Sequence, residues 1–454
     1  MARNVIKRSG KTVNFNAKKI QTAITRANKD VKTSDPLAKI MTNEDISTAT
    51  NVVIDSFKTV ETVNIEDIQD TVEKTLMSLG FFEVAKSYIL YRKKHQEQRE
   101  ASLKLMEQFH ELLSTDAALN DDRRENANIN TNTPMGIMLK AGTSAMKIYA
   151  DNFAIPEEFV AAEREGWTHW HDKDFSFICF NCLQTDLKKV FSGGFNTGHG
   201  YIREPKSIRS YAALAAIVLQ SAQNDCFGGQ SLGAFDVVMS DGIRKSFKSA
   251  IKTAINQLHV YEGDIEPDIL TGFEIKRISF NLCHYSDDTN KSWQEDKNSA
   301  VQELMNVTRK DRRLAEIVYL SACNMVKEET HQAMEAFLFN MNTLHSRSGS
   351  QTVFSSINYG LDTTPEGRLV VREMLKVTDA GMGHGETSIF PIQIFTMLAG
   401  VNYNLEDPNY DLFQQAMRVS AKRLYPNFNS QGSSFNLPYY KPEDYRTYAA
   451  TMGK

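Results

Sequence analysis

Near residue 97 the spacing of apolar residues changes, and that change divides the chain into two regions of different kind. Before it, "NVIKRSGKTVNF" alternates around Ser9-Gly10, with Val13 and Phe15 facing one way, which is the pattern of a β-hairpin. Asn16 then stands where it can cap a helix whose apolar positions Ile20, Ala23, Ile24 and Ala27 recur at helical spacing. A later helix is expected to open at Asn64, with Asp67 in the capping-box position. It carries Ile65, Ile68, Val72, Leu76 and Leu79 on one stripe and stops at Gly80. Another runs from Phe82 into the charged stretch "YRKKHQEQRE", a linker helix.

From about Ala101 the pattern is mixed α/β and longer in range. "SIRSYAALAAIVLQSAQ" reads as a strongly apolar helix between Pro205 and "CFGGQS". "TVFSSINYG" and "TSIFPIQIFTML" read as strands, rich in β-branched and aromatic residues. The segment from about Asp236 to Glu335 is charge-rich and mostly helical.

Composition narrows the function. A chain of 454 residues with a formal net charge of −4 offers no case for a basic nucleic-acid face or a polybasic membrane tail. It has no long apolar run, and "MARNVIKRSGK" lacks the apolar core of a signal peptide, so a cytoplasmic location is expected. Five cysteines, at 179, 182, 226, 283 and 323, are too few for a secreted disulfide framework.

Two clusters carry chemistry. Lys7, Arg8 and Lys11 surround the expected turn, with Lys18 and Lys19 at the start of the next helix. Cations beside a helix N-terminus suit a polyphosphate, although a solvated basic hairpin has the same appearance. "WTHWHDKDFSFICFNCLQTDL" holds His169, His171, Asp172, Cys179 and Cys182. Those residue types suit a metal site or a redox dithiol, or simply two buried thiols with ordinary histidines nearby. If a strand starts at Phe175, Cys179 and Cys182 point to opposite faces, which argues against shared chelation and against a dithiol.

"VIKRSGKTVNFNAKKI", followed by "VNIEDIQDTVEKTL" and "AKSYILYRKKH", resembles the ATP-cone module over residues 1–97. The resemblance implies an allosteric site for ATP or dATP with contacts at Val5, Ile6, Lys7, Arg8, Lys19 and Arg92. Ser9 replaces the acidic residue of the usual Lys-Arg-Asp-Gly.

The His-x-His-Asp…Asn-Cys…Asp-Leu order at 169–187 is followed by "EPKSI", "FGG", "NMNTLHSRSGSQTVF", "GMGHGETSIFPI", "DPNYDL", "AKRLYP" and "MG". Over 101–454 this resembles the anaerobic (class III) ribonucleoside-triphosphate reductases. The implied fold is a small helical cone with a hairpin, followed by the incomplete first half of a ten-stranded α/β barrel. The implied reaction reduces ribonucleoside triphosphates for deoxyribonucleotide synthesis. A glycyl radical, generated by a radical-SAM activase, passes to a cysteine that abstracts the 3′ hydrogen. Cys182 matches the reducing thiol on the first barrel strand, beside Asn181, opposite the radical cysteine. Cys179 has no family role and is expected to be structural, and His169 and His171 to be pocket-side or structural. Homodimers are implied, and no metal ligand is assigned in this chain.

Met452-Gly453 matches the Met-Gly-Cys tip of the loop bearing the radical cysteine, which would be the next residue. Met452 also favours formate as reductant. The second half-barrel, its structural zinc and its radical glycine lie beyond the sequence. The expectation is therefore an amino-terminal piece completed by a separate carboxy-terminal piece, with an unpaired strand edge and an exposed apolar interior of its own. The alternatives are an inactive truncated fragment or a nucleotide-sensing cone without catalysis. An aerobic reductase could share the cone but lacks the "HWHD…FNC" signature.

Overall fold

The computed structural model describes residues 4–8, 10–35, 37–113, 133–262, 294–345 and 352–448. Ser9, Cys283 and Met452 lie outside the described residues. The chain divides into two compact units, 1–111 and 112–454.

In the first unit, β1 (Asn4–Ile6) lies between β2 (Thr12–Asn14), antiparallel to it, and β3 (Thr62–Asn64), parallel to it. Four helices complete it: α1 (Ala17–Ser34), α2 (Asn43–Asp55), α3 (Ile65–Ser78) and α4 (Phe82–Leu113). Asn16 caps α1, its Oδ1 accepting the Lys18 N–H at 3.0 Å. Ile20, Ile24, Ala27 and Val31 turn inward to meet Ile68, Val72 and Leu76 of α3 in one core with Val5, Val63, Val84 and Tyr88. The capping box expected at Asn64 is not formed. Asn64 is itself the last residue of β3, in register with Ile6, and the chain passes directly from ladder to helix. The box occurs instead at Thr42 and Asp45 on α2. Gly80 does end α3: with φ +77° it donates to Met77 O at 3.0 Å while Phe81 donates to Leu76 O at 3.0 Å, a Schellman closure.

The second unit opens with α5 (Pro134–Tyr149) and α6 (Glu157–Arg164). Its centre is a parallel sheet in the order β10-β9-β8-β7-β4. The strands are β4 (Leu183–Thr185), β7 (Gln230–Leu232), β8 (Ser355–Tyr359), β9 (Ile392–Met397) and β10 (Asn427–Ser430). Between β4 and β7 lie α7 (Leu187–Phe191), a small antiparallel pair β5 (Phe195–Asn196) and β6 (Tyr201–Ile202), and α8 (Ile208–Ala222). The later crossovers carry α9 (Phe235–Glu262), α10 (Gln294–Thr308), α11 (Arg312–Thr343), α12 (Pro365–Ala380) and α13 (Tyr410–Arg423). Each strand in chain order adds to the same edge, so right-handed crossovers place the helices on one face. Phe235, Phe247, Tyr319, Phe337 and Phe395 fill the core between them and the sheet. Among the described residues no helix is long and apolar enough to cross a membrane.

The conditional strand from Phe175 is absent. Residues 172–179 are turns, with the Phe175 and Ser176 N–H groups both donating to Asp172 O at 2.9 Å. Phe175 is held by its ring, stacked 3.6 Å from Phe227, so aromatic packing overrides its strand propensity. Extended pairing starts only at Phe180, which bridges Cys226, and the opposite-face argument for Cys179 and Cys182 does not apply.

Candidate functional sites

The residues assigned to the nucleotide are set around the first unit's three-stranded sheet, on β1, the turn after it, α1 and α4. Val5 is buried in β1 between Val13 and Val63, and Ile6 is half-buried beside it. Lys7 and Arg8 follow the strand, both exposed, with the Lys7 N–H donating to Lys11 O at 3.0 Å. Lys19, in the first turn of α1, lines an open cleft of about 460 Å³ with Asn16, Lys18, Thr22, Arg26 and Tyr91. Arg26 and Tyr91 were not foreseen, though Arg26 lies two helical turns beyond Lys19 and so shares its face.

Arg92 stands apart from that cleft's cations. It bonds Glu66 at 2.5 Å, Asp70 at 2.5 Å and Glu73 at 2.9 Å, and only 19% of its side chain is exposed. Burial opposes its charge, but the bonds to Glu73, Asp70 and Glu66 outweigh burial and raise its pKa. Glu66 also takes a bond from Arg8, and that bond, helped by Arg92 and opposed by partial burial, lowers its pKa. These acids were legible only as a spacing of four and three along α3, which marks one helix face.

In the second unit three contacts identify the helix-covered face of the sheet. Gln230 donates to Leu219 O of α8 at 2.8 Å, Ser355 approaches Met341 Sδ of α11 at 3.8 Å, and Gln393 donates to Thr378 of α12 at 2.8 Å. Strand alternation therefore turns Gln184, Ser231, Ser356, Asn358, Ile394 and Thr396 to the opposite face. That face is mixed rather than wholly apolar: Ser231, Ser356, Asn358 and Thr396 are buried polar residues, with buried Ile394 beside Asn358 in the register. Asn358 Nδ2 donates to Ser231 Oγ at 3.1 Å, whereas Ser356 Oγ and Thr396 Oγ1 have no hydrogen-bond partner among the described residues.

Cys182 is exposed at the amino end of β4, and the thiol is free. Asn181 holds it through the backbone, its carbonyl accepting the Gly228 N–H at 2.7 Å and the Cys226 thiol at 3.2 Å. Gly228 allows that approach, because a Cβ there would sit 2.2 Å from Asn181 O and 2.5 Å from its Oδ1. Gly228→Ala is expected to destabilise the fold by about 1–3 kcal/mol in denaturant unfolding. Gly200→Ala, with nothing within 4 Å of the added methyl, is the control that should remain near wild type. Cys179 lies in the preceding turn, its thiol 3.5 Å from Phe175 O. His169 and His171 are exposed, near Glu163 (3.8 Å) and Asp172 (2.7 Å) respectively. Among the described residues no group of three or more His, Cys, Asp or Glu could hold a metal ion.

The carboxyl ends of the central strands are fixed by buried acids and amides. Asp236 accepts the Gly360 N–H at 2.8 Å and the Asp362 N–H at 3.1 Å. Asn402 donates to Gly360 O at 2.8 Å and Asn409 to Asp362 O at 2.9 Å. Beyond β10 the chain returns to the exit of β4, where Tyr445 Oη donates to Asp186 at 2.8 Å. Burial, and then the charge of Asp362, push the Asp236 carboxyl above the usual carboxylate range against bonds from the Asp362, Gly360 and Val237 N–H groups that favour its ionised form. Its folded pKa is raised, so the folded state keeps a proton that the unfolded chain releases near pH 4. Stability should fall as pH rises above about 4 and through the raised folded value. Thermal unfolding across that range should show a shallower slope for Asp236→Asn than for wild type; equal slopes would remove Asp236 as the cause.

Residues 125–453 match the family model "Anaerobic ribonucleoside-triphosphate reductase", and residues 3–97 match "ATP cone domain". The anaerobic ribonucleoside-triphosphate reductase of Salmonella typhimurium is 29% identical over 432 residues, covering 94% of this chain and 51% of that protein. The Escherichia coli protein of the same name is also 29% identical over 432 residues, with the same 94% and 51% coverage. A Thermotoga maritima anaerobic ribonucleotide reductase crystal structure, with glycerol in the active site, aligns at TM-score 0.45 and 11% identity, over 75% of this chain and 50% of that one. The chain thus spans about half the length of the curated relatives it matches. With a cone match at its start and a reductase match over most of the remainder, the chain belongs to the anaerobic ribonucleoside-triphosphate reductase family.

Proposed function

We propose that this chain supplies the nucleotide-sensing unit and the first half of the catalytic barrel of an anaerobic ribonucleoside-triphosphate reductase. The observation that carries the reading is the exposed thiol of Cys182 at the amino end of β4, the edge strand of a five-stranded parallel sheet whose face away from the α8, α11 and α12 contacts holds buried polar groups. In a ten-stranded barrel, that face would look onto the substrate. The buried hydroxyls of Ser356 and Thr396 and the Asn358–Ser231 pair suit a ribose better than an apolar ligand. Cys182 holds a hydrogen that its sulfur can give up, and the Asn181 carbonyl, clamped by Gly228, sets its position. The glycyl radical and the cysteine it oxidises, both assigned to the carboxy-terminal half, would supply hydrogen abstraction. That half would also carry the structural zinc, with a radical-SAM activase as partner and formate as reductant.

In the first unit, Val5, Ile6, Lys7, Arg8, Lys19 and Arg92 would bind ATP or dATP, with apolar residues of β1 against the base and the cations on the phosphates. The test is anaerobic co-expression of this chain with a separate carboxy-terminal half and the activase. Conversion of CTP to dCTP is expected only with both halves present. A glycyl radical detected in the assembled pair without any dCTP would remove the reading.

A further inference from the structure

Two of the cations assigned to the effector are already engaged. Arg8 binds Glu66 and donates to Gln69 Oε1 at 2.7 Å, while Arg92 binds Glu66, Asp70 and Glu73. Glu66, Asp70 and Glu73 form one face of α3, and Glu66 alone touches both arginines. It thereby ties the end of β1 to α4 through the first turn of α3. Two guanidinium groups meet three carboxylates, so the cluster as it stands is net negative and repels a polyphosphate. Lys18, Lys19 and Arg26, in the neighbouring cleft, make no ion pair among the described residues and remain available.

We propose that Glu66 is an internal anion that occupies Arg8 until a nucleoside triphosphate displaces it. This rests on the reading that the unit binds ATP or dATP, and it adds how that binding is restrained. Effector binding is then an exchange of a carboxylate for a phosphate on the same guanidinium, which presents the same planar fork to either. Exchange is feasible because Glu66 is 42% exposed and lies in the first turn of α3, where the helix dipole stabilises a released carboxylate. Asp70 and Glu73 stay with Arg92 and Gln69 is uncharged, so a single ion pair, Arg8–Glu66, needs to open.

The test is calorimetric titration of the full chain with ATP, dATP and inorganic triphosphate. Glu66→Gln, which removes the competing charge but keeps the side chain's size, should bind all three roughly 5- to 10-fold more tightly. Asp70→Asn should give a smaller gain, about 2-fold, by lightening the acidic face. Unchanged or weaker binding in Glu66→Gln, with wild type binding normally, overturns the exchange and leaves the effector reading standing. If Glu66→Gln fails to fold, Asp70→Asn decides, and no gain there overturns it. Wild type that binds none of the three probes removes the effector reading itself.

Discussion

Cys182→Ala in the complemented reductase proposed above is expected to yield no deoxyribonucleotide above background, a loss on the order of a thousand-fold or more, with glycyl-radical formation expected to persist. The two readouts separate chemistry from folding. A thiol that acts on the substrate is needed after the radical arrives, so its removal stops product without stopping radical generation. Cys182→Ser sharpens the point, since it preserves hydrogen bonding and nearly preserves volume but replaces the weak S–H bond with a strong O–H bond. Both variants should retain the parent's thermal stability, because Cys182 is exposed and carries none of the core. Turnover above a tenth of wild type in either variant would move the reducing role elsewhere. Cys179 is the nearest cysteine by sequence, its thiol 3.5 Å from Phe175 O, while Cys226 is buried with its thiol pointing at Asn181 O.

Lys7→Ala with Arg8→Ala is expected to weaken dATP binding by roughly 100-fold or more. Hydrogen bonds to charged groups contribute about 1.5–3 kcal/mol each, and two are removed. Arg8→Ala also frees Glu66 to stay on Arg92, so the remaining cations are no better placed for phosphate. Lys58→Ala serves as a control: Lys58 pairs with Asp55 beyond the end of α2 and should leave affinity unchanged. Equal dATP affinity in the double variant and wild type would place the triphosphate elsewhere, with the Lys18, Lys19 and Arg26 cleft next in line.

Local periodicity carries far in this chain. The stripes of α1 and α3, the Gly80 stop, the apolar helix before "CFGGQS" and the strands within "TVFSSINYG" and "TSIFPIQIFTML" are each readable from a dozen residues. All of these elements have enough length for apolar spacing to declare itself. The strands β4 and β7 do not: "LQT" and "QSL" are three residues each and largely polar, and only their pairing in a sheet makes them strands. The turn at 172–179 was misleading for the converse reason, since its aromatics suit a strand but pack as a turn against Phe227.

The cationic and thiol residues were legible by type, and their surroundings were not. Arg8 and Arg92 stand out in the sequence as positive charges, yet the acids that neutralise them come from α3, 58 positions away in the case of Arg8 and Glu66. Gly228 is one glycine among 24 until folding sets it against Asn181. Residue identity and short-range spacing were thus enough for the type of the longer elements, and the ordered motifs along the chain for the resemblance to the family. Which charges are already paired, and which polar groups the sheet buries on its second face, were decided by tertiary structure, because both depend on contacts between segments that no local pattern links.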